Sequence, residues 1–164
     1  MMKDETPSSD TTEKTSTATG SGRIPEIKVV SFGYKNGAPP LAHLLVDVRF
    51  LKNPYWVEEL RPLTGKDADV QRYVLDQPAA IDLLDRLVEL IASLAPAMLD
   101  DRTNRIKVAL GCTGGQHRST ALVEELSKRV ALRMTGFKVL KFHRELDSTA
   151  EEISVAYQAA EAGR

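Results

Sequence analysis

A small layered α/β domain with a mostly parallel central sheet is the fold this 164-residue sequence predicts. Three observations carry that expectation. Short β-branched or apolar runs at 26–32, 44–50 and 105–112, and in "FKVLKFHREL", read as strands. Between them lie segments with apolar residues every three or four positions, the period of a helix with one buried face. "RIKVALGC" is apolar through most of its length, as a strand covered on both faces is. Strands that alternate with helices build a parallel sheet, because each return to the same edge needs a crossover.

The elements follow in order. "EIKVVSFG" is the first strand, and Gly33, Gly37 and the pair Pro39-Pro40 end it in a loop. "LLVDVRF" is the second, with Asp47 and Arg49 expected on one face and Val46, Val48 and Phe50 on the other. The loop after it, "LKNPYWVEELRPLTG", holds the only Trp, and a loop of that length is either functional or packed on its own aromatics. "DADVQRYVLDQ" predicts a short helix. Pro78 then opens a longer one with Ile81, Leu84, Leu87, Val88, Ile91, Leu94 and Met98 on its apolar face. After "RIKVALGC" and a glycine-bearing turn, "STALVEELSKRVALRMTG" is a helix with Leu122, Leu126, Val130 and Met134 toward the core, and Gly136 fits its C-terminus. "TAEEISVAYQAAEAGR" reads as a terminal helix or a frayed end.

Composition bounds the function. The first 23 residues are rich in Ser, Thr and Gly, with no apolar residue beyond two Met and one Ala, so residues 1–24 are expected as a disordered tail and 25–164 as the domain. The tail lacks the apolar middle of a signal peptide, its acids argue against a mitochondrial presequence, and it could equally be a linker from an upstream domain. A net charge of −1 gives no global pull toward nucleic acid or membrane. A lone Cys makes no internal disulfide, no apolar run reaches the roughly 20 residues of a membrane span, and the chain reads as cytoplasmic. One Cys and three scattered His do not make a metal set; His43 and His143 read as structural, and no cofactor is implied.

The chemistry concentrates in "GCTGGQHRS", 111–119. A strand, a glycine turn and a helix start make an anion site: the first helical turn leaves N–H groups unpaired, and the helix dipole adds partial positive charge. Gly114 and Gly115 let the backbone approach a ligand, Arg118 offers a planar fork for phosphate oxygens, and Thr113, His117 and Ser119 add donors. No acid lies between Cys112 and Glu124. Cys112 and Arg118 also stand at the spacing of a cysteine-phosphatase loop, followed by Ser119, but Gly111 replaces the expected His. Two chemistries stay open here: a cradle that holds phosphate, or a loop whose thiolate attacks it with Asp47, Asp67 or Asp69 as unplaced candidates for the acid. Asp47 could also answer an ammonium on the ligand, which makes an amino-sugar phosphate chemically sensible.

"SFGYKNG", "DVRFLKNPYWVEELRPLTG" and "VALGCTGGQHRS", with "KFHREL" to close, together resemble the C-terminal domain of the RapZ family of RNase adapter proteins over residues 26–146. The resemblance implies a regulatory domain, not an enzyme, that binds glucosamine-6-phosphate and, in enterobacterial members, a small RNA. It implies a compact α/β fold with a pocket likened to a phosphofructokinase sugar-phosphate site. By motif, Thr113, Gly114, Gly115, His117, Arg118 and Ser119 would hold the phosphate, Asp47 would lie near the amino group, and the Lys35–Gly37 loop with Asn36 would complete the pocket. The chain departs from the family in three places. No Walker motif occurs, so nucleotide hydrolysis is not carried over; Asn36 stands where some members have His; and an acidic C-terminus replaces a Lys/Arg-rich tail. Lys138, Lys141 and Arg144, with Lys128, Arg129 and Arg133, form a local basic region that is either a solvated face or a weak RNA site. An RNA partner, a protein partner and self-association are all left open.

Overall fold

The computed structural model describes residues 23–99 and 104–153. Within them the chain runs β1 (Glu26–Gly33), β2 (Leu44–Asp47), α1 (Ala68–Leu75), α2 (Pro78–Met98), β3 (Arg105–Cys112), α3 (Arg118–Arg133), β4 (Lys138–His143) and β5 (Glu151–Glu152). One-turn 3-10 helices at Tyr34–Asn36 and Pro54–Trp56 follow β1 and β2. The five strands form one sheet in the order β2-β3-β1-β4-β5, parallel except for β5. The predicted fold class is the observed one.

Burial explains the layering. Ile27 and Val29 of β1, Ile106, Val108 and Leu110 of β3 and Val139 of β4 pack with all three helices into one large core. The alternate residues Val30, Phe32 and Ala109 form a small cluster on the opposite face, covered by Tyr34, Ala42 and Phe142. The period of two thus sends one set of side chains to the helices and the other to a thin cover. Leu122, Leu126 and Val130 of α3, and Met134 just past its end, face the core as their spacing predicts. On α2 the apolar stripe is Ala80, Leu84, Leu87, Val88, Ile91 and Ala95, while Ile81 is 44% exposed. The stripe therefore begins one position earlier than the large residues suggest.

Two expectations need correction. The second strand stops at Asp47, because the Asp47 carboxylate accepts a hydrogen bond from the Arg49 N–H and turns the chain. Val48 is buried but Phe50 is exposed, so the period of two does not continue past Asp47. At the other end, Glu151 and Glu152 pair antiparallel with Lys141 and Leu140 as a short edge strand, not as part of a helix. Residues 154–164, like residues 1–22 of the tail expected over 1–24, lie outside the described residues.

The register positions the site. Gly33 is level with Cys112, and Asp47 is level with Gly111, so β1, β3 and β2 all release their loops at one edge of the sheet. Ligands of open α/β sheets bind beyond such carboxyl ends.

Candidate functional site

Residues 113–117 turn the chain from β3 into α3, and neighbouring segments stitch this loop from two sides. The Lys35 N–H donates to the Thr113 carbonyl at 3.1 Å, and the Gly65 N–H to the Gln116 carbonyl at 2.7 Å. A Cβ at Gly65 would run into the His117 carbonyl and the backbone of Ala121, so only glycine fits there. Gly115 sits at φ +72°, a conformation that L side chains rarely adopt. These fixed points hold open a cavity of about 300 Å³ lined by Lys35, Tyr55, Trp56, Arg61, Cys112 and Thr113 on through Gly114, with Asn53, Gln116, His117 and Arg118 completing it.

Arg118 is its centre. The side chain is 5% exposed; Nη1 donates to the carbonyls of Arg49 (2.9 Å) and Leu51 (3.1 Å), and Nη2 to Thr113 Oγ1 (3.3 Å). Its Nε has no partner, and neither has the buried Nε2 of His117; with Ser127 Oγ these are the unpartnered buried side-chain polar atoms among the described residues. An orphaned buried polar group costs about 1–3 kcal/mol. His117 and Arg118 both belong to the cavity lining. Among the described residues no carboxylate lines the cavity. Most guanidinium and ammonium groups elsewhere sit in ion pairs, but Lys35, Arg61 and Arg118 make none within the described residues.

The expected site residues divide by position. Cys112, Thr113, Gly114, His117 and Arg118 line the cavity. Gly115 is buried beneath it, its N–H donating to Cys112 Sγ at 3.2 Å, and Ser119 points inward, with Oγ 3.1 Å from the same sulfur. Ser119 is thus bound to the thiol and to the Phe32 carbonyl and does not face the cavity. Asn36 stands outside the lining and steadies the loop, donating from Nδ2 to the Gly114 carbonyl. Asp47 is also outside it, held by the Arg49 guanidinium, which grips both carboxylate oxygens. That hydrogen bonding keeps the Asp47 carboxyl below the ordinary range, and the charge of Arg118 contributes in the same direction.

A model of the RapZ C-terminal domain family matches residues 25–147. The chain belongs to that family. Its relatives include proteins named as nucleotide-binding proteins from Cutibacterium acnes (50% identical over 119 residues), Cereibacter sphaeroides (43% over 136) and Streptomyces coelicolor (46% over 124). These alignments take in 73%, 83% and 74% of this chain but only 40%, 44% and 41% of the relatives, so the chain spans about two fifths of their length. Membership of the RapZ C-terminal domain family is consistent with a regulatory or adapter role.

In this RapZ-type domain the basic residues singled out for RNA are engaged with protein groups. Lys138 pairs with Glu152, Lys141 with both Glu124 and Glu151, and Arg144 with Glu145 and with the carbonyls of Ala38 and Gly33. Arg129 and Arg133 pair with acids of α2 and α3. His43 accepts the Lys107 N–H, and His143 is fully buried between Ser31 and Glu124. Among the described residues no three His, Cys, Asp or Glu gather as a metal site, and no helix is long and apolar enough to cross a membrane. The residues that motif reading did not assign to the cavity are Asn53, Tyr55, Trp56, Arg61 and Gln116. For all but Gln116, which sits inside the 111–119 motif, the signal was the aromatic, proline-punctuated loop itself.

Proposed function

We propose that this domain binds a phosphosugar of the glucosamine-6-phosphate type as a signal and does not turn it over. The observation that carries the reading is a cavity lined by Lys35, Arg61 and Arg118, which form no ion pair, and by no carboxylate among the described residues, with two unpartnered buried nitrogens, His117 Nε2 and Arg118 Nε, on residues of that lining. A phosphate monoester brings nearly two negative charges and strong acceptor oxygens at neutral pH. The amino group would lie toward Asp47, which already feels the Arg118 charge. Ligand contacts would tie together Lys35, the 53–61 loop and the 112–118 loop, an ordering that an RNA or protein partner could read at the surface.

Phosphorus NMR with glucosamine-6-phosphate tests this. The wild-type protein should broaden or shift the ligand signal and leave it intact over hours, and Arg118→Ala should abolish the effect. Unchanged binding by Arg118→Ala would sink the anion-cradle assignment.

One observation favours a second reading, a cysteine-dependent phosphatase: Cys112 Sγ accepts the Gly115 N–H, as a nucleophilic thiolate would. The cavity lining offers no carboxylic acid for the leaving group, which weighs against it. Growth of an inorganic phosphate signal, abolished by Cys112→Ser, would make that reading the correct one.

A further inference from the structure

We infer that Trp56 is the platform on which the ring of the bound phosphosugar lies, which makes it the residue that selects ring-bearing phosphates over open-chain ones. The inference deepens the phosphosugar reading and rests on it. Its starting point is that the only Trp of the chain, 76% exposed, lines the same cavity as Lys35, Arg61 and Arg118. Tyr55 and Trp56, in ring contact and both exposed, make an aromatic patch at the pocket, and such patches mark contact surfaces.

The exposure is built in. Pro54 is buried and anchors the turn, Asn53 Oδ1 accepts the Tyr55 N–H, and the Val57 N–H closes the turn on the Pro54 carbonyl at 2.9 Å. Arg61 then locks it from outside, donating from Nε to the Tyr55 carbonyl at 3.0 Å with its guanidinium 5.2 Å from the Tyr55 ring centre. Tyr55 in turn meets Trp56 edge to face, with centroids 5.5 Å apart and planes at 82°. A turn fixed by this many contacts holds the indole in solvent in advance of any ligand, which removes an ordering cost from binding.

The chemistry fits a sugar ring. A pyranose has hydroxyls around its edge and an apolar C–H face, and an indole is the matching flat apolar surface. With the phosphate at His117 and Arg118, the ring extends toward the cavity wall formed by Trp56 and Tyr55, where Lys35 and Arg61 offer donors to its hydroxyls. The indole lies mostly in solvent, so its removal leaves the core untouched.

The test is titration calorimetry of the wild type, Trp56→Ala, Trp56→Phe and Arg118→Ala with glycerol-3-phosphate, glucose-6-phosphate and glucosamine-6-phosphate. Intrinsic fluorescence, which reports Trp56 alone in the wild type, follows in parallel. The wild type should bind the hexose phosphates about tenfold tighter than glycerol-3-phosphate, equivalent to about 1.4 kcal/mol. Trp56→Ala should erase that preference by weakening the hexose phosphates about tenfold more than glycerol-3-phosphate, Trp56→Phe should restore most of it, and Arg118→Ala should lose all three ligands. Hexose phosphate should also change the indole emission. A preference that survives Trp56→Ala overturns the platform and spares the phosphosugar reading; so does equal binding of all three ligands to the wild type with unaltered emission. If none of the three binds the wild type, the phosphosugar reading falls and the platform falls with it.

Discussion

Gly115 shows how little room the 113–117 loop leaves at a single residue. A Cβ there would lie 2.5 Å from the Gly33 nitrogen, 2.6 Å from Glu145 Cγ and 2.8 Å from the Phe32 carbonyl carbon, in a left-handed backbone besides. Gly136 has the same kind of backbone, φ +88°, but open space around its missing Cβ. Gly136→Ala should therefore cost only the conformational strain, about 1–2 kcal/mol. Gly115→Ala adds overpacking of about 1–3 kcal/mol to that strain, and it should also disturb phosphate binding. Urea unfolding midpoints of the two variants test the difference, and equal midpoints would mean that the loop yields. Arg118 and His117 were legible in the sequence because a loop motif is local: neighbours in the chain remain neighbours in the cavity. Asp47 stands outside the cavity lining because its own carboxylate caps the Arg49 N–H and ends β2, which the alternation of that segment did not announce.

At the scale of elements, α3 is fastened to the sheet by a buried polar relay. Glu124 accepts from Lys141 Nζ at 2.9 Å and lies 2.8 Å from His143 Nε2; His143 Nδ1 is 2.7 Å from Ser31 Oγ, itself 3.3 Å from Thr120 Oγ1, which donates to the Gly115 carbonyl. The chain of contacts thus ends on the 113–117 loop. Burial works against the Glu124 charge, but hydrogen bonds from His143 and Lys141 outweigh it and hold the carboxyl at about 2, against an ordinary 4.5. A depressed carboxyl stabilises the fold above pH 4.5, and that contribution, on the order of 3 kcal/mol, is lost as pH falls toward 2. Glu124→Gln should destabilise the domain by about 3–5 kcal/mol at neutral pH. It should also flatten the acid limb between those two pH values, as read by denaturation at a series of pH. Parallel acid limbs in variant and wild type would show that Glu124 is not the group responsible. The helix and the strands could be read from periodicity, yet nothing local announces that Ser31, Glu124 and His143 meet; their contact exists only after β1, α3 and β4 are layered.

The whole molecule decides what a ligand does to stability. Parallel register brings Gly33 level with Cys112 and Asp47 level with Gly111, so a cavity wall is drawn from Lys35, from the 53–61 loop and from the 112–118 loop. The alternation of strand and helix made that architecture legible, because only a parallel sheet accommodates it. The aromatic half of the cavity was less legible, since a loop declares its composition and not where it folds back. A ligand that bridges all three segments is bound only by the intact fold and must stabilise it against global unfolding. At a hundredfold excess over Kd, glucosamine-6-phosphate should add about 2.7 kcal/mol, which raises the unfolding midpoint of a domain this size by roughly 10 °C. Arg118→Ala should show no rise, and Trp56→Ala a smaller one at the same concentration. Added salt should shrink the wild-type rise, because the inner end of the cavity works through charge. If NMR shows binding but the midpoint does not move, the loops must open and release ligand before the core unfolds. The site would then be a separate unit riding on the sheet, and not part of the cooperative fold.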